Sequence, residues 1–134
     1  MDILRRAEER GLDVIAFTDH NTVKGYAAMA EEIADLELLE RLNRLQPTEK
    51  TRLAEYRRLR EKLLVLPGVE FTATLGFHIL AIFPEDATVR EIEHLLLRLN
   101  ISPEKLDLGS TEVGASSDVL TAYREMSRAG ALVI

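Results

Sequence analysis

The feature that most limits what this chain can fold into is the run Val14-Ile15-Ala16-Phe17, followed at once by Thr18-Asp19-His20-Asn21. Four consecutive apolar residues fit a strand covered on both faces, as in a parallel sheet. Barrels of the α/β type put their chemistry at the carboxyl ends of such strands, and this one delivers an Asp-His pair there. Two later strand-like stretches, Leu66-Pro67-Gly68-Val69-Glu70 and Gly76-Phe77-His78-Ile79-Leu80, bring a carboxylate and a second imidazole. One carboxylate and two imidazoles on neighbouring strand ends suit a divalent metal such as zinc or manganese.

Composition narrows the chemistry. With no cysteine, disulfides and thiolate sites are excluded, so a metal must be held by His, Asp, Glu and water. The formal net charge of −6 argues against a nonspecific nucleic-acid surface. No apolar run approaches the ~18 residues of a membrane span, and the amino-terminal segment is an acidic-basic helix rather than a signal peptide. The expectation is a cytoplasmic protein with no membrane contact. At 134 residues and 46% apolar, the chain is long enough for one domain with a real core.

Patterning places helices at Ile3 to Arg10, closed by Gly11; at Val23 to about Leu45; and, after Pro47 with Thr48 as cap, at Glu49 to Lys62. This pair of helices exceeds what a simple βα unit needs, so about 36–62 reads as a helical-hairpin insertion. Strands are expected at Asp13 to Phe17, Leu63 to Leu66, Val69 to Thr74 and through His78, Leu80 and Ile82 up to Pro84. Thr88 with Glu91 makes a capping box for a helix to Leu99. Asn100 to Ser116 reads as loop, Ser117 as the cap of a helix to Ala129, Gly130 as its stop, and Ala131 to Ile134 as a last strand. The alternation predicts an α/β fold with a mainly parallel sheet.

Each candidate has a plain structural reading beside the functional one. His20 is a metal ligand oriented by Asp19, or a turn residue next to a helix cap. Glu70, between Val69 and Phe71, needs a partner, which a metal or an arginine of the helix hairpin supplies. His78 is a ligand or a satisfied strand histidine; its nearness to Glu70 across one tight turn favours the ligand. His94 lies off the apolar stripe of its helix and reads as surface. Gly114-Ala115-Ser116-Ser117-Asp118 lacks the second glycine of a nucleophile elbow, and neither a P-loop nor a dinucleotide fingerprint is present.

Taken together, Gly11-Leu12-Asp13-Val14-Ile15-Ala16-Phe17-Thr18-Asp19-His20-Asn21, Leu66 to Phe71 and Gly76 to Leu80 resemble the PHP (polymerase and histidinol phosphatase) superfamily, most of all PHP domains joined to an ATPase region. The resemblance implies a distorted (β/α)7 barrel holding two or three divalent ions (zinc, manganese or iron) that hydrolyses phosphoesters, with nucleotides or nucleic-acid ends as substrates. It implies that His20 binds one ion, that Glu70 bridges two, that His78 binds one of that pair, and that Asp19 stands behind them. The family's first His-x-His motif and its carboxyl-terminal Asp-x-His are not in this sequence, and a barrel of this sort takes roughly 250 residues. The expectation is therefore a partial, truncated PHP-like domain over 1–134, with its first and last barrel segments missing and weak or no activity by itself. The alternative is a catalytically inactive interaction or regulatory module whose open sheet edges pair with another copy or with another protein.

Overall fold

A computed structural model describes residues 1–109 and 117–134. The chain divides into two units, one of residues 1–15 and 27–65, the other of residues 16–26 and 66–134. In order, the elements are α1 (Asp2–Glu9), β1 (Val14–His20), α2 (Lys24–Arg41), α3 (Pro47–Lys62), β2 (Leu64–Thr72), a 3₁₀ turn (Thr74–Gly76), β3 (His78–Ile82), α4 (Val89–Arg98), α5 (Pro103–Leu106), α6 (Val119–Arg128) and β4 (Leu132–Val133).

The first unit is helical. Leu4 and Ala7 of α1 are buried, as are Leu53, Tyr56 and Leu59 of α3. Charge pairs line the helices: Arg58 reaches both oxygens of Glu8 at 2.6 and 2.7 Å, and Arg57 both oxygens of Glu40 at 3.0 and 2.7 Å. The Tyr56 hydroxyl donates to Glu32 at 2.5 Å. Pro47 starts α3 rather than preceding it. It takes the first helical position, where a missing N–H costs nothing, and the cap is Gln46, not Thr48.

Helix α2 ends at Arg41, short of Leu45, because Asn43 adopts φ 54° and Arg44 N–H closes back on Leu39 O at 2.9 Å. Asn100 at φ 64° ends α4 in the same manner, with Ile101 N–H on Leu96 O. Asparagine here does what Gly11 and Gly130 do for α1 and α6, tolerating the left-handed residue that lets a helix satisfy its last carbonyls.

The expected mainly parallel barrel sheet is not what forms. Among the described residues the sheet is small, open and mixed, in the order β1-β2-β3-β4, with one parallel pair, β1 with β2, and antiparallel pairing elsewhere. The cause is the connection from Thr72 to His78. A parallel crossover needs a dozen or more residues, and the single 3₁₀ turn allows only a hairpin. Nor is β1 covered on both faces: none of its residues is buried, and Val14 is exposed. As an edge strand it is half-buried from Ile15 to His20.

Pro67 and Gly68 do not divide β2 into two strands. Pro67 lies just past the last register pair, Gly68 with Ile82, and still accepts from Phe83 N–H at 2.9 Å, so its missing donor interrupts nothing. Gly68 has carbonyl oxygens of both neighbouring strands against it: a Cβ there would lie 2.9 Å from Phe17 O and 2.9 Å from Ala81 O.

One face of the sheet carries the core of the second unit. Val69, Phe71 and Ala73 alternate with Ile79, Ala81 and Phe83, and pack with Ile92, Leu95 and Leu96 of α4 and Ala122 and Met126 of α6. Thr88 caps α4 with its reciprocal Glu91 box as expected. Helix α6 is capped by Asp118, whose carboxylate accepts from Leu120 and Thr121; Ser117 instead donates to Leu99 O at 2.8 Å. The expected loop Asn100 to Ser116 contains the short α5, and its part from 110 to 116 lies outside the described residues, as do Gly114, Ala115 and Ser116. Among the described residues no helix is long and apolar enough to cross a membrane.

Candidate metal centre

Period-two alternation turns Glu70 and Thr72 away from the core that Val69 and Phe71 enter. On β3 the same alternation buries Ile79 and leaves His78 on the opposite face. Thr72 and His78 are register partners, so Glu70, two residues earlier on the same face, is the diagonal neighbour of His78. On the other side of β2, Asn21 N–H donates to Glu70 O at 2.8 Å, which sets the end of β1 level with Glu70.

The three side chains converge. Glu70 Oε1 lies 2.5 Å from His78 Nδ1 and 3.2 Å from His20 Nε2. The two imidazoles meet edge to face, with centroids 5.6 Å apart and planes at 84°. One donor atom from each residue falls within a 4.8 Å span. The side chains are 33%, 25% and 44% exposed for His20, Glu70 and His78, so the cluster is open to water.

The donor set fits a divalent ion. Two neutral imidazoles and a carboxylate are the ligands of open catalytic zinc sites and of facial-triad iron sites, which keep further positions for water. Zinc bonds of about 2.0–2.2 Å in a tetrahedron hold donors roughly 3.3 Å apart. The His20–Glu70 spacing already matches, and His78 would retreat from Glu70 by roughly 0.8 Å.

Asp19 performs a local task. Its Oδ2 accepts from Gly25 N–H at 2.8 Å, satisfying a donor in the first turn of α2. Glycine at 25 permits this, since a Cβ there would collide with Asp19 Oδ2. The glycine that weakens a helix on paper is the one that admits its cap.

Among the arginines of the helix hairpin, Arg52 pairs with Glu32, Arg57 with Glu40, and Arg58 with Glu8 and Glu55. His94 is exposed, as expected. A cavity of about 780 Å³ in the second unit, lined by Phe83, Ile92, Leu95 and Arg98 among its walls, lies beyond the far end of β3 and includes none of the three donors. One residue of the site escaped sequence reasoning. Asn21 is fully buried with φ 55°, and its side chain bonds Thr72; an asparagine at the point where a strand must turn away was the available signal.

The fold and the site thus define an α/β chain with an open His–Glu–His cluster on the solvent face of a mixed sheet. No family model matches the chain, and no curated protein matches it in sequence.

Proposed function

We propose that His20, Glu70 and His78 bind a divalent metal ion and that this centre hydrolyses phosphoesters, with nucleotides or nucleic-acid ends as the substrate class. The carrying observation is the convergence of three donor atoms from three strands within 4.8 Å on a solvent-accessible face. The phosphoester half of the reading is supported by the likeness of the Asp19-His20 and Glu70 to His78 stretches to the PHP superfamily. A bound ion supplies a Lewis acid for phosphate oxygens and lowers the pKa of its water to about 7. The chain's own part is to present two imidazole lone pairs and one carboxylate in fixed relation, with the remaining positions open to substrate.

The test is metal content per chain by elemental mass spectrometry on gel-filtered protein, followed by hydrolysis of bis(p-nitrophenyl) phosphate. The reading expects near-stoichiometric zinc, manganese or iron, lost in His20→Ala and Glu70→Ala, and turnover that disappears with it. A protein that takes up no ion from excess Zn2+, Mn2+ or Fe2+ overturns the reading. The second reading, a non-catalytic module, has one observation in its favour: Glu70 Oε1 already touches both imidazoles, so the cluster is self-satisfied as a clasp between strands. A folded protein that takes up no ion and hydrolyses no phosphoester would select it.

A further inference from the structure

We infer that Asn21 is a positioning residue for the metal centre, setting His20 against Glu70 through its side chain; the inference rests on the metal reading above. The chain leaves β1 at Asn21, whose φ of 55° turns the backbone out of the ladder. A strand that ends there leaves the next donor of its neighbour, Thr72 N–H, with no main-chain carbonyl opposite. The Asn21 side chain fills that place: its Oδ1 accepts from Thr72 N–H at 2.8 Å, and its Nδ2 donates to Thr72 Oγ1 at 3.3 Å. Its own N–H donates to Glu70 O at 2.8 Å.

One residue therefore grips β2 at the Glu70 carbonyl and at Thr72, on either side of Phe71, while its sequence neighbour on the amino-terminal side is His20. Asn21 is 0% exposed and Thr72 4%, so water does not compete for these bonds. Buried, fully paired amides hold one arrangement against slippage. A shift of β1 by a single residue would send His20 to the opposite face. Asparagine suits the task on two counts: it tolerates the left-handed conformation, and it carries both an acceptor and a donor. Groups that orient a ligand without touching the metal typically change affinity by roughly tenfold to a hundredfold.

The experiment titrates Co2+ into the wild-type chain and three variants, reading both the dissociation constant and the visible ligand-field bands. Asn21→Gly keeps the left-handed backbone and removes the side chain. Thr72→Val keeps the β-branched shape and removes only Oγ1. Met126→Ala truncates a buried core side chain of α6, outside the strands that carry the three donors, and serves as a variant that is merely destabilised. The expected result is affinity weakened roughly tenfold to a hundredfold in Asn21→Gly, a smaller loss in Thr72→Val, altered bands in both, and wild-type affinity and bands in the folded Met126→Ala protein. Wild-type binding and bands in Asn21→Gly or, should that variant not fold, in Thr72→Val would overturn the positioning role alone. Equal weakening in Met126→Ala would also overturn it, since general loosening would then explain the effect. No Co2+ binding by the wild-type chain would overturn the metal reading and this inference with it.

Discussion

Glu70 and His78 meet diagonally across the β2–β3 hairpin, Oε1 to Nδ1 at 2.5 Å, and the same oxygen faces His20 Nε2 from the other side at 3.2 Å. A single carboxylate oxygen is thus the point at which three strands come together. Glu70→Gln keeps the size of the side chain and removes its charge. It should lower Zn2+ affinity by more than the roughly hundredfold that losing an outer partner costs, with the far-ultraviolet dichroism unchanged. Isothermal titration of the metal-stripped variant measures this.

Gly68→Ala should destabilise the second unit by about 1–3 kcal/mol. The added methyl meets backbone oxygens of Phe17 and Ala81, and backbone in a ladder cannot give way as a side-chain tip can. Chemical denaturation of the variant against wild type measures the difference.

Asp19→Ala should cost about 1–2 kcal/mol of stability by freeing Gly25 N–H in the first turn of α2. At saturating ion it should retain wild-type metal stoichiometry, because the bond this carboxylate accepts belongs to the helix. Thermal unfolding and elemental analysis of the same sample check both halves.

Acid should loosen the first unit by a defined route. Arg58, then Lys62, holds Glu8 down at about 2, and Arg58, then Arg5, holds Glu55 at about 2, against an ordinary 4.5. Folded values below the unfolded one mean that the unfolded chain takes up protons first, so this stabilisation is complete above about pH 4.5 and drains away as pH falls toward 2. Both carboxylates are at the surface, so salt should weaken the effect. Arg58→Ala should flatten the dependence, as read by hydrogen exchange in α1 and α3 between pH 5 and pH 2.

The sequence announced the site better than the sheet around it. Period-two alternation turned Glu70 away from Val69 and Phe71, a local signal that the strand follows, whereas β1 was expected to stop at Phe17 and runs on to His20. Thr88 with Glu91, also a local signal, marked the start of α4. The parallel barrel sheet failed because strand direction depends on what the connections permit. The five residues between Thr72 and His78 already required a hairpin. The antiparallel joining of β4 to β3, through Ala81 with Val133 and Ile82 with Leu132, depends on how α4 and α6 pack, which no local pattern records. Pro67 misled because a proline inside a strand is tolerated where the ladder ends, and the end of a ladder is a property of two strands. Asn43, Asn100 and Asn21 show one residue type ending two helices and a strand through the same left-handed backbone.

The most direct measurement is anomalous diffraction at the zinc edge from crystals grown with Zn2+. The account predicts one peak bonded to His20 Nε2, Glu70 Oε1 and His78 Nδ1 at about 2.0–2.2 Å, with the His78–Glu70 contact opened to admit the ion. Crystals in which zinc occupies other sites, while Glu70 still bonds both imidazoles directly, would contradict it.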